Sequence, residues 1–167
     1  MPCNIRNSTF YGNNSHQGGS AVSGHQDLTS DPTGVHVDNV TFAHNGEQWG
    51  TTTLDGSKYV LNNTVFHSSG ARICSSTDNT GHDVRQFMSG ALTEDAPCIP
   101  GVPATVQSDP FPAMGDNGGP TLTAMPASGS GGELLSGAGS DCEAKDQRGV
   151  SRDVAHCTLG AVEVTSP

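Results

Sequence analysis

Three stretches of the chain align residue for residue: IRNSTFYGN at 5–13, VDNVTFAHN at 37–45 and LNNTVFHSS at 61–69. Asn39 precedes Asn63 by 24 residues and Asn7 precedes Asn39 by 32, the same period with an eight-residue insertion. A repeat of this length is one supersecondary unit that cannot bury its apolar face alone, so neighbouring copies must stack and share a continuous core. The insertion can be placed. GGSAV at 18–22 keeps the 32-residue offset to GTTTL at 50–54, so the extra length falls between Gly24 and Val35, in a protruding loop QDLTSDPTG at 26–34.

Stacking at the spacing of hydrogen-bonded strands, about 4.8 Å, turns equivalent residues into columns. Ile5, Val37 and Leu61 form an aliphatic column, and Phe10, Phe42 and Phe66 an aromatic stack. Asn7, Asn39 and Asn63 form a polar ladder at a bend, where amides can bond to each other and to backbone groups leaving the sheet. Alternation along the strand turns Arg6, Asp38 and Asn62 outward. Cys3 shares an inward column with Val35 and Tyr59, which makes it a buried free thiol. The expected fold is therefore all-β: a short parallel β-solenoid of about three coils over residues 1–73, followed by a loop-rich segment over 74–167 in which the repeat is lost.

Composition separates this reading from disorder. Only 32% of residues are hydrophobic and 5% aromatic, with 22 Gly and 10 Pro, which suits a solenoid because each repeat needs only a narrow apolar strip inside. The net charge of −10, from 17 acidic against 7 basic residues, would repel a phosphate backbone and argues against nucleic acid as a partner. No apolar run reaches the ~18 residues of a membrane span, and no secretory leader opens the chain. The sequence reads as a mature fragment or a short reading frame rather than as a full-length protein.

Five cysteines leave one odd thiol if two disulfides form. Cys74 and Cys98 bound one polar segment, Cys142 and Cys157 another, and each segment would be poorly ordered without a clip. Both pairs are expected as disulfides with Cys3 free, in an oxidising, extracellular compartment. Close metal-ligand spacings such as CxxC or HxxxH are absent, so no metal site is expected from spacing, although an acidic face could hold a divalent cation such as calcium.

DNGGPTLT at 116–123, the Cys-bounded DQRGVSRDVAHC at 146–157 and LGAVE at 159–163 follow CSSTDNTGHDVRQFMSGALTEDAPC at 74–98 and SDPFPAMG at 108–115. In this order residues 60–164 resemble the C-terminal module of bacterial choice-of-anchor Q domain proteins, which implies that the coils of 1–73 form a short right-handed parallel β-helix and that 74–167 is a loop-rich, disulfide-clipped cap packed on the last coil. GSGGELLSGAGS at 129–140 departs from the family's usual GSPAID-like run. The resemblance implies a secreted or cell-surface bacterial module, structural or adhesive, with glycans or cell-surface components as partners. Asp146, Arg148, Asp116 and Asn117 read as loop-tying residues rather than catalytic ones.

The competing function is a polysaccharide-processing hydrolase or lyase of the same fold: a hydrolase needs paired carboxylates about 5 to 9.5 Å apart, and a lyase a basic residue beside neutralised substrate carboxylates. Asp27, Asp31, Asp38 and Asp55, with His36, are its candidates, and Asp38, Asn62, His44 and His67 are candidates for ligand contact on the repeat surface. The repeat pairs His44 with Gly12 and Ser68, and His67 with Tyr11 and Ala43, so the histidines do not share a column and read as ordinary exposed residues. An uncovered first coil with Ile5 and Phe10 at its edge also predicts self-association through the N-terminal coil.

Overall fold

A computed structural model describes residues 3–24, 34–48, 52–56, 58–69, 72–76, 78–89, 98–102, 104–106, 108–127, 134 and 141–164. Among them there is no α-helix. The strands run β1 (Cys3–Arg6), β2 (Thr9–Tyr11), β3 (Val22–Ser23), β4 (Val35–Asp38), β5 (Thr41–Ala43), β6 (Leu54–Asp55) and β7 (Tyr59–Asn62). They continue as β8 (Val65–Ser68), β9 (Thr80–His82), β10 (Arg85–Met88), β11 (Ala104–Val106), β12 (Met114–Gly115) and β13 (Thr123–Ala124).

Four passes of the chain each add one strand to each of two parallel sheets, ordered β1-β4-β7-β9 and β11-β10-β8-β5-β2, and β11 adds a fifth to the second. The register is the one the repeat predicts: Cys3 pairs with Val35 and Val35 with Tyr59, while Phe10 pairs with Phe42 and Phe42 with Phe66. The shorter parallel pair β3-β6 aligns Val22 with Leu54, which confirms the 32-residue offset downstream of the turn. The insertion predicted at 26–34 lies, apart from Gly34, outside the described residues.

A corner separates the two sheets in every pass, and the residue that makes it takes a left-handed backbone: Asn7 at φ 43°, Asn39 at 53°, Asn63 at 48° and Asp83 at 51°. Asn and Asp adopt this conformation more readily than other non-glycine residues, which explains the column on backbone grounds alone. Val37, Leu61, Phe42 and Phe66 are buried, and the rings stack at centroid distances of 5.0 Å (Phe10 to Phe42) and 4.9 Å (Phe42 to Phe66). Ile5 and Phe10 are half-buried against this core because β1 and β2 are edge strands.

The edge position also corrects the expectation for Cys3. It is free as expected, but exposed rather than buried, because an outermost strand has a neighbour on one side only. Val35 and Tyr59, one and two strands further in, are buried in the same column.

The parallel pairing does not stop near residue 73. β9 and β10, in the segment expected as a clipped loop, extend both sheets, pairing Leu61 with Gly81 and Phe66 with Gln86. The period here is 20 residues rather than 24, so Gly81 stands in the aliphatic column and Gln86 in the aromatic one. A Cβ at Gly81 would collide with the Leu61 carbonyl. Gln86 is buried, donates to the Val102 carbonyl at 3.0 Å and accepts from the Cys98 amide at 3.0 Å, so a polar side chain closes the aromatic stack with its hydrogen bonds satisfied.

The first sheet alternates buried and half-buried residues along β4 and β7, whereas β5 and β8 are buried throughout. The second sheet is covered on both faces. Its outer side, through Ala43, Val65 and Phe87, packs on Phe111, Ala124, Leu134 and Leu159 from the C-terminal half.

The corner amides meet that half directly. Asn7 donates to the Lys145 carbonyl at 2.8 Å, Asn39 accepts from the Glu143 amide at 3.0 Å and Asn63 donates to the Asp141 carbonyl at 3.0 Å. Residues 141–145 therefore form a strap along the side of the stack, advancing two residues per pass and reaching the first one. The side-chain pairing expected within this ladder occurs in a different column, where Asn13 Nδ2 donates to Asn45 Oδ1 at 2.9 Å. Asp146 follows the strap, buried, and accepts from the amides of Arg148, Val150 and Glu163 and from Arg148 Nε, a structural role as the sequence suggested.

Both predicted disulfides are present, Cys74–Cys98 with Cα atoms 5.2 Å apart and Cys142–Cys157 at 6.3 Å, within the usual span of such bridges. No helix among the described residues is long and apolar enough to cross a membrane.

Candidate functional site

Beyond the apolar outer face of the second sheet lies a polar cluster built from three separate parts of the chain. His67 is the third residue of β8 and points outward from the column that contains Tyr11 and Ala43. His44 follows β5 in a left-handed conformation, φ 59°, where the preceding pass has Gly12 at 66°. That turn swings the His44 ring out of its own column and sets it edge-on to His67, with ring centroids 4.8 Å apart. Asp109, at the turn that leads into β12, completes the group and is itself fixed by accepting from the Phe111 amide at 2.7 Å.

Asp109 offers one oxygen to each ring, Oδ2 at 3.0 Å from His44 Nε2 and Oδ1 at 3.3 Å from His67 Nδ1. The opposite nitrogen of each ring is held as well. His44 Nδ1 lies 3.0 Å from Glu47 Oε1, and His67 Nε2 lies 2.6 Å from Ser89 Oγ. Glu47 also accepts from the Ser69 amide at 2.9 Å. Tyr11 packs its ring 4.9 Å from His44 and donates to the Pro112 carbonyl at 3.1 Å.

These surroundings shift the ionisable groups. Burial pushes His67 below the usual histidine range, helped by the His44 charge and opposed by Asp109 and Glu47. Burial acts to raise Glu47, but its hydrogen bonds from Ser69 and the positive side of His44 outweigh it and hold the carboxyl below its ordinary value. Tyr11 is raised by burial and then by the charges of Asp109 and Glu47.

The expectation of ordinary exposed histidines is thus corrected for two of them. The His67 side chain has no exposure and that of His44 has 19%. Column arithmetic kept them apart correctly, but the second sheet has a covered outer face and His44 leaves its column through the turn. Asp109 carried no signal as a partner, because its approach depends on how 108–127 folds back over the sheet.

Two chemistries are open to such a group. Ser89, His67 and Asp109 stand in the order of a nucleophile, base and orienting carboxylate. His44, His67 and Asp109 also present one potential metal-ligand atom each, all within 4.8 Å of one another.

The remaining candidates are placed elsewhere. Asp38 is half-buried in the outward column, accepts from Asn62 at 2.9 Å and lies 3.6 Å from Arg6 Nε, while Arg6 also reaches Glu143 at 3.0 Å. His36 sits between Asn4 and Val60 in the register, and Asp55 in β6 accepts from the Tyr59 hydroxyl through its carbonyl at 2.9 Å. Asp27 and Asp31 lie outside the described residues. Compared with protein-family models, curated proteins and solved structures, the chain matches none.

Proposed function

We propose that this chain is an extracellular bacterial surface-protein module with a structural or adhesive role, built as a short right-handed parallel β-helix of the choice-of-anchor Q kind. The observation that carries the reading is the strap: three corner amides hold residues 141–145 along the first three passes, and two disulfides clip 74–98 and 142–157 internally, a way of stiffening a thin core that suits an oxidising, exposed environment. The outward column of Arg6, Asp38 and Asn62 supplies a line of polar groups at strand spacing, a surface on which a glycan chain can lie.

The competing reading, a polysaccharide-processing enzyme, would have to recruit Asp38 out of its contacts with Arg6 and Asn62. A glycan array run beside reducing-sugar and unsaturated-product assays separates the two. Retention of a glycan without turnover is the expected result. Release of new reducing ends or unsaturated products, abolished in Asp38→Asn, would transfer the protein to the enzyme class.

A further inference from the structure

The His44, His67 and Asp109 cluster contains a contact that its own residues do not complete. His67 Nδ1 is buried and lies 3.3 Å from Asp109 Oδ1, yet it makes no hydrogen bond in that direction. On the other side of the ring, Nε2 and Ser89 Oγ are only 2.6 Å apart. If Nε2 carries the proton and donates to Ser89, the Nδ1 lone pair faces a carboxylate oxygen, two acceptors in contact in a water-poor setting. A cation between them turns that repulsion into two bonds. His44 differs in that both of its nitrogens have partners: Nδ1 is held by Glu47, and Nε2, 3.0 Å from Asp109, is hydrogen-bonded to the Phe111 carbonyl at 3.1 Å, a bond the ion would displace.

We propose that His44, His67 and Asp109 bind a single divalent transition ion of the zinc class, with Glu47 and Ser89 as the outer partners that orient the two rings. The donor set selects this class. Two imidazoles and one carboxylate suit zinc and its neighbours, whereas calcium takes six to eight oxygens. Nitrogen-to-oxygen separations of 3.0 and 3.3 Å match neighbouring ligands around an ion bound at about 2.0 to 2.2 Å, and the three ligand atoms, within 4.8 Å of one another, would draw together around it. Imidazole ligands ordinarily have the far nitrogen fixed by a carboxylate or another oxygen, as Glu47 and Ser89 fix these. Three protein ligands leave one position for water. The site joins β5 and β8 to the 108–127 segment, so an ion there would pin that segment to the sheet; this stands independently of the surface-module reading.

The serine-nucleophile alternative uses the same His67 but requires Nδ1 to donate to Asp109, the hydrogen bond whose geometry is missing. It also leaves unexplained why Asp109 divides its two oxygens between two histidines.

The full chain, dialysed against a chelator, is titrated with Zn2+ and separately with Ca2+ by calorimetry, and its melting temperature is followed with and without each ion. The expected result is one Zn2+ per chain with a raised melting temperature, and no comparable response to Ca2+. Asp109→Asn and His67→Gln should each weaken Zn2+ binding by about 100-fold or more, Glu47→Gln by about 10- to 100-fold, and His36→Ala should change nothing. Because His67→Gln alters a buried residue, circular dichroism must first show it folded, whereas Asp109→Asn, at a more exposed position, tests the site by itself. Absence of Zn2+ binding, or binding unchanged in Asp109→Asn, would overturn the proposal, the latter assigning the ion to surface histidines. So would labelling of Ser89 by a fluorophosphonate in the metal-free protein, which would assign the cluster to nucleophilic catalysis.

Discussion

Arg152 Nη2 donates to Asn7 Oδ1 at 3.2 Å, a bond between residues 145 positions apart in the chain. The same buried guanidinium reaches Glu163 Oε2 at 3.1 Å and the carbonyls of Thr158 and Gly160 at 2.9 and 2.8 Å. Burial lowers its proton affinity and the Glu163 carboxylate opposes that, as expected for a charge kept inside by its partners.

Truncation at this point should be severe. Arg152→Ala leaves Glu163 buried beside two unpaired carbonyls and is expected to cost about 3 to 5 kcal/mol in urea unfolding. Arg152→Lys should recover little, since an ammonium cannot span Asn7, Glu163 and Gly160 together. A loss below about 1 kcal/mol for the alanine variant, the range of an exposed pair, would show that this network does not hold the first pass to the C-terminal segment.

The aromatic stack sets a gradient. Phe42→Ala empties the middle of the column and should cost about 3 to 5 kcal/mol, with Phe10→Ala costing less because Phe10 is half-buried at the edge. Equal, small losses at both positions in denaturant melts would show that the stack contributes little.

Non-reducing peptide mapping should return Cys74–Cys98 and Cys142–Cys157, with Cys3 alkylated in the native protein because it is exposed. Replacing both Cys142 and Cys157 by Ala should cost about 3 kcal/mol, the chain-entropy value for a loop of about 15 residues. Amide exchange should rise first in residues 141–164, before β5 and β8.

Acid stability should report on Asp146. Burial acts to raise its carboxyl, but the Glu163 amide, Arg148 and the Val150 amide hold it below the usual aspartate value. A group depressed in the folded state contributes stability above its unfolded value, about 3.9, and loses it as pH falls through the folded one. The stability difference between wild type and Asp146→Asn should therefore stay level from about pH 7 to 5 and shrink below about pH 4. A difference that instead grows as pH falls would reverse the sign of this coupling.

The repeat made the sheets legible, because Phe10, Phe42 and Phe66 report a register that leaves them no other place to go. It ceased to be legible at β9, where the period shortens to 20 and Gly81 and Gln86 replace apolar residues in their columns. Gln86 satisfies its amide against Val102 and Cys98, partners that lie outside the repeat. The site was half-legible for a related reason. Alternation gives the direction of His67 within the sheet, but Asp109, Glu47 and Ser89 converge on it through turns whose geometry no period encodes.

The strap has a consequence for how such a protein can change length. Lys145, Glu143 and Asp141 meet the corners of the first, second and third passes at two residues per step, so this stretch serves as a ruler for the stack. Duplicating one repeat would move Asn7 a further strand spacing from Asn63 and break the match unless about two residues were added near Glu143. Growth and shrinkage of the stack are thereby tied to compensating insertions far away in the sequence, and a variant with an extra repeat but an unaltered ruler would leave one corner amide facing nothing.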